Sequence, residues 1–166
     1  MFTPKPISSA GVPGALEKAE RYRLLNEPSE AESICRDVLA VDPDNQQATI
    51  MLLLSMTDQF PDAIAEGERR ARELLPKIRD EYKRAYYDGV ICERRGRAHL
   101  RGGRGGSGEL AYTWLTRAME CYERAESLRP AGNDEAILRW NACARMFDAG
   151  DNVRPGVAEA YEPSFD

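Results

Sequence analysis

Two groups of residues in this 166-residue chain could do chemistry: four cysteines with a single histidine, and a run of arginines. Cys35, Cys92, Cys121 and Cys143 lie far apart and show no Cys-x-x-Cys spacing. With His99 they form no recognisable metal-ligand series and no disulfide framework. The expected state is therefore four reduced thiols packed in the core, where cysteine behaves as a small hydrophobe. His99 has no nucleophile or acid–base partner spelled out beside it. No phosphate loop or paired-carboxylate motif occurs, and most carboxylates fall on helix faces where charge pairs are expected. The expectation is a protein that is not an enzyme and uses no cofactor and no metal.

The arginine run is CERRGRAHLRGGRGG, over residues 92–106. Arg95, Arg97, Arg101 and Arg104 make it a candidate basic contact patch beside Arg94. It resembles the arginine–glycine segments that bind RNA, but it is one short copy without interleaved aromatics, so nucleic acid is disfavoured. The plainer reading is a solvated helix end, where cations complement the negative pole of the dipole and glycines stop the turn. Charge is spread unevenly around it. Residues 1–60 carry 5 basic and 9 acidic side chains, residues 61–104 carry 12 and 8, and residues 105–166 carry 6 and 11. A basic middle between acidic ends suits an acidic peptide or helix better than a duplex.

The elements that must position these residues read as helices throughout, since no segment alternates with the period of a half-buried strand. The spacing predicts helices over 15–25, 30–41, 45–58, 62–75, 79–100 and 109–128, and a seventh that begins after Asn133 or Asp134 and fades at Gly150. Residues 26–29 (Asn-Glu-Pro-Ser) break the chain, with Ser29 expected to cap the second helix. Five glycines among the eight residues 101–108 predict a flexible loop. Residues 1–12 read as a loose N-terminal arm, 13–149 as the helical domain and 150–166 as a flexible tail. No apolar run approaches the ~20 residues that span a bilayer, and the start lacks a signal-peptide h-region, so no membrane insertion and a cytoplasmic location are expected.

Three of the helices share a spacing. Ala31-Cys35-Val38-Pro43, Ile64-Glu68-Ala71-Pro76 and Ala118-Tyr122-Ala125-Pro130 superpose with identical intervals. Small or apolar residues four and seven apart make a stripe along which two helices approach closely, and the proline beyond forces the chain out of the helix. The alternate helices carry the complementary pattern, as in Thr49, Leu52, Leu53 and Met56, and again in Tyr82, Ala85, Tyr86 and Gly89.

On these residues the chain resembles the tetratricopeptide repeat family, whose unit is a helix–turn–helix of about 34 residues closed by proline. The segments AESICRDVLAVDPDNQQA (31–48) and ELAYTWLTRAMECYERAESLRP (109–130) are most similar to it. The resemblance implies an all-α fold, a right-handed α-solenoid of antiparallel hairpins with about seven helices and about three degenerate repeats. Pro43 and Pro76 stand 33 residues apart and Pro76 and Pro130 stand 54 apart, so the last repeat carries an insertion.

The resemblance further implies a concave groove lined by the odd helices. It places Leu16, Glu20 and Arg23 there from the first helix, with Ile50, Leu54, Lys83, Tyr87, Val90, Arg94, Ile137, Asn141 and Arg145 from the later ones. Such a surface fits an adaptor that binds a protein or peptide partner, since asparagine can bond a peptide backbone and arginine a carboxylate. The chain departs from the family's clamp for chaperone tails, offering Leu16, Glu20 and Met51 where lysine and asparagines are wanted. Three alternatives remain open: a dedicated chaperone of a secreted or assembling client, a self-assembling structural subunit, and a plain helical bundle with no groove. The tail residues Val157, Ala158, Tyr161 and Phe165 are apolar enough to fill the groove of the same molecule or of a second copy, which would make a homodimer.

Overall fold

The computed structural model describes residues 2–60, 64–102, 105–149 and 153–156. Among them are seven α-helices and no strand: α1 (Val12–Leu24), α2 (Pro28–Val41), α3 (Gln46–Asp58), α4 (Ile64–Arg72), α5 (Glu81–Gly102), α6 (Ser107–Leu128) and α7 (Glu135–Asp148). None is long and apolar enough to cross a membrane. Residues 61–63, Arg104, and the tail residues Val157, Ala158, Tyr161 and Phe165 lie outside the described residues.

Most helix ends follow from local chemistry. Asn45 caps α3, its Oδ1 accepting from the Ala48 amide at 2.8 Å while its Nδ2 donates to Asp42 at 2.9 Å. Several boundaries differ from the sequence reading; α4, for one, ends at Arg72 rather than 75, with a 3-10 turn at Leu75–Lys77 beyond it. Pro28 does not break the chain but opens α2, where its missing N–H costs nothing and its fixed φ suits the first turn; Ser29 is inside the helix. The reversal before it is made by Asn26, at φ 60°. Pro13 likewise sits in the first turn of α1, behind a 3-10 turn at Ser9–Gly11, so helix begins within the expected arm. The glycine loop is shorter than its composition suggests, because α5 continues through Arg101 and Gly102. Gly106, at φ 79°, makes the turn into α6, a conformation that favours glycine.

The three-fold stripe is the packing surface. Ala31, Cys35 and Val38 on α2, Ala71 on α4, and Ala118, Tyr122 and Ala125 on α6 have no accessible surface. Each helix packs against its neighbours in sequence, and α3 also touches α1 and α5. The closest approach is between α5 and α6, where a methyl added to Gly89 would stand 2.5 Å from Cε1 of Tyr122. Ion pairs tie the smaller helices together. Glu32 on α2 accepts from Arg36 Nη2 and Gln59 Nε2, both at 2.8 Å, and from Arg70 on α4. Burial works to raise the Glu32 carboxyl, but those three donors outweigh it and hold it below the ordinary carboxylate range.

Two outcomes follow. Gly89→Ala should cost about 2 kcal/mol in urea unfolding, since neither Tyr122 nor the α6 backbone has room to move. Gly14→Ala, which meets nothing within 4 Å inside α1, should be neutral or stabilising by a few tenths of a kcal/mol. The Glu32 stabilisation is fully present above the ordinary carboxylate pKa and is lost as pH falls through its lowered folded value. In acid titrations followed by circular dichroism, Glu32→Gln should therefore lose stability at neutral pH and show a shallower acid limb than the parent.

Candidate anion-binding cleft

A cleft of about 280 Å³ opens where the C-terminal end of α3 meets α5 and α7. It is lined by Thr57, Asp58 and Phe60, by Glu93, Arg94, Arg97, Ala98 and Arg101 of α5, and by Arg139 of α7. Arg94, Arg97 and Arg101 stand three and four residues apart and so share one helix face. Four guanidiniums against two carboxylates leave the lining with a formal charge of +2.

Two buried carboxylates organise the cations. Glu93, 1% exposed, accepts the Tyr122 hydroxyl at 2.7 Å and Arg97 Nε at 2.8 Å, and Arg139 Nη1 approaches both its oxygens at 3.4 Å. Burial beside this carboxylate pushes the Tyr122 phenol far above its ordinary range. Burial works to depress Arg139, but the Glu93 charge, together with the Tyr86 and Tyr122 phenols, outweighs it and raises the guanidinium. Asp58, at the end of α3, accepts Arg23 Nε from α1 at 2.8 Å and pairs with Arg94. Burial, with the like charges of Arg23 and Arg139, pushes Arg94 down to about 10, so it remains a cation at neutral pH. Arg101 is exposed and has no ion-pair partner among the described residues.

The residues expected in the groove are only partly brought together. Arg94 lines the cleft, joined by Arg97 and Arg101 from the basic run. Val90 is a correction: it has no accessible surface and belongs to the core between α5 and α6, so it cannot touch a partner. Leu16 is likewise core, packed with Val12, Val38 and Ala48. Ile50, Leu54 and Tyr87 are half-buried and pack against the core clusters, and burial lifts the Tyr87 phenol to about 12. Ile137 and Asn141 are half-buried and Lys83 and Arg145 exposed, all outside the cleft lining.

Arg95 is also corrected. One position round the helix from Arg94, its guanidinium lies 3.9 Å from the Trp114 ring centroid and pairs with Glu68 of α4. It is a packing element between α4, α5 and α6 rather than a free contact. His99 lies beside this stack with its Nε2 buried and unpartnered, and burial with the Arg95 charge lowers its pKa. Arg139 is the residue that sequence reasoning missed. The fully buried Ala136 and Cys143 fix the inward face of α7, and a position three beyond Ala136 shares that face.

Guanidiniums donate hydrogen bonds but exchange no proton at neutral pH, so this lining can hold an anion far better than it can shuttle protons. Removing the central carboxylate tests the arrangement. Glu93→Ala should destabilise by about 3 kcal/mol in chemical unfolding, because Arg97, Arg139 and the Tyr122 hydroxyl lose their buried acceptor. Tyr122→Phe, which removes one donor, should cost about 1 kcal/mol. No protein-family model, curated protein or solved structure matches the chain, so the reading of the cleft rests on its own geometry.

Proposed function

We propose that the chain is a non-catalytic binding module of tetratricopeptide type that holds an acidic peptide segment of a partner protein in the arginine cleft. The observation that carries this reading is the convergence of Arg94, Arg97, Arg101 and Arg139 on one 280 Å³ cleft with two carboxylates to oppose them. The helix order supports the repeat reading: neighbours in sequence pack in pairs, while α3 touches both α1 and α5, as expected if alternate helices form an inner layer. The buried stripes on α2 and α6, with Ala71 at the matching position of α4, support it too, since each repeat would close on the same helix face.

A side-chain carboxylate or chain terminus can take two parallel bonds from a guanidinium, and Arg101 has its donors free of any ion pair among the described residues. Asp58 and Glu93 would discriminate against cationic segments and against densely charged polyanions, favouring a peptide with one or two carboxylates in the cleft. An adaptor of this kind needs no cofactor.

The test is fluorescence anisotropy with labelled peptides of matched length, one rich in Asp and Glu and one with the corresponding amides, at two salt concentrations. The acidic peptide should bind at least about tenfold tighter, weaken as salt rises, and lose about fivefold in affinity to Arg101→Glu. Equal binding of the two peptides, or an Arg101→Glu protein that binds as the parent does, would remove the cleft as the binding site. A duplex or single-stranded RNA probe that outcompetes the acidic peptide would reassign the arginines to nucleic acid.

A further inference from the structure

Away from the cleft, on the side of α5 that faces α4 and α6, the fold brings together two cysteines that the sequence keeps apart. Cys92 of α5 and Cys121 of α6 meet beside Asp88, and their sulfurs and a carboxylate oxygen all lie within 4.8 Å of one another. Arg72, from the end of α4, spans the group. Its Nη2 stands 3.3 Å from the Cys92 sulfur and its Nη1 2.8 Å from Asp88 Oδ1. Arg124 Nη2 reaches the other Asp88 oxygen at 3.2 Å. Among the described residues, neither Cys35 nor Cys143 takes part in such a cluster or accepts from an arginine.

We propose that Cys92 and Cys121 are an oxidisable dithiol, converted by a hydroperoxide to a reversible disulfide that joins α5 to α6. The two sulfurs have distinct environments. Cys92 is 2% exposed and Cys121 half-buried, so a small oxidant approaches from the Cys121 side. The neighbouring Cys121 thiol, with Arg72, lowers the Cys92 pKa against the opposing effects of burial and of the Asp88 charge, whose Oδ1 lies 4.0 Å from the Cys92 sulfur. Cys35 and Cys143 are pushed the other way by burial, to about 11 and about 12. A thiolate is the sulfur nucleophile, and only Cys92 has its charge stabilised in this way.

The balance is simple. The Cys92 thiolate attacks one oxygen of the hydroperoxide; the S–O bond forms, the O–O bond breaks, and the leaving oxygen departs protonated as water or an alcohol. The Cys121 sulfur then attacks the Cys92 sulfenic acid; the S–S bond forms, the S–O bond breaks, and hydroxide leaves with the Cys121 proton as water. Two thiols lose two electrons and two protons, and the hydroperoxide is reduced by two electrons. Arg72 also decides between this chemistry and metal binding, because its guanidinium already occupies the positive position against both Sγ and Oδ1. A metal ion would have to displace it and would find three ligands where a closed site needs four.

The experiment treats the full chain with hydrogen peroxide, quenches it, and counts free thiols by alkylation and intact mass. The expected result is loss of two of the four thiols, a mass lower by two hydrogens, a peptide joining Cys92 to Cys121, and full reversal by a dithiol reductant. Cys92→Ser should slow formation of any disulfide by at least about tenfold, and Cys121→Ser should leave a Cys92 sulfenic acid that dimedone traps. Four thiols still free after peroxide treatment would overturn the proposal, as would a disulfide that forms at the parental rate in Cys92→Ser. Stoichiometric zinc binding that protects both thiols from alkylation, with no disulfide under peroxide, would overturn it in favour of a metal site.

Discussion

A carboxylate with almost no access to water is the constraint on which the C-terminal half of the molecule depends. Glu93 is tolerated in the interior because three donors from three helices converge on it, Arg97 from its own, Tyr122 from α6 and Arg139 from α7. An ion left unpaired there would cost several kcal/mol, far more than any one apolar contact nearby. The apolar stripes of α5 and α6 supply attraction, and Tyr122 and Leu115 seated over Gly89 and Gly96 already disfavour a slide of one turn. Glu93 does not accept it either. One register satisfies the Tyr122 hydroxyl, and in that register the Tyr122 ring also fills the space over Gly89. The polar bond and the steric fit select the same alignment.

The N-terminal half uses the same device in weaker form. Asp58 at the end of α3 receives Arg23 from α1 and Arg94 from α5, and Glu32 on α2 gathers donors from Gln59, just beyond α3, and from Arg70 of α4. Gln46 adds a neutral link, donating to the Lys77 carbonyl at 3.1 Å and accepting the Arg79 amide at 2.9 Å, so the start of α3 is bonded to the connection before α5. Burial of alanine, leucine and cysteine draws these helices together, while the paired side chains set their mutual rotation. The cleft is a by-product of that arrangement: the arginines that neutralise Glu93 and Asp58 are the ones whose remaining donors face outward between α3, α5 and α7.

What the sequence made legible is what periodicity encodes. Seven helices and the buried faces of α2, α4 and α6 could be read because small residues at fixed intervals leave few other ways to pack. Boundaries were less legible where one residue type serves two purposes. Pro28 ends helices in most settings yet opens α2, and the glycines after Arg101 weaken a helix that packing against α6 carries through to Gly102. Site residues suffered from phase: Arg139 lies two positions from both Ile137 and Asn141, nearly on the opposite side of α7, and one position around α5 separates Arg94, at the cleft, from Arg95, stacked on Trp114. The meeting of Cys92 with Cys121 could not be read at all, since it depends on how two helices pair and not on spacing along either.

Three of the four guanidiniums in the cleft already hold carboxylates belonging to the chain itself, so a site here would work as an exchanger rather than a vacant receptor. An anion that reached Arg94 would take over a bond that Asp58 holds, and Asp58 would then lean more on Arg23. The free energy gained would be the difference between two similar pairings, with the bond made at Arg101, which has no ion pair among the described residues, not traded against another. Occupancy of such a site would be registered in α1, at the far end of the Asp58 bridge, as well as at the cleft.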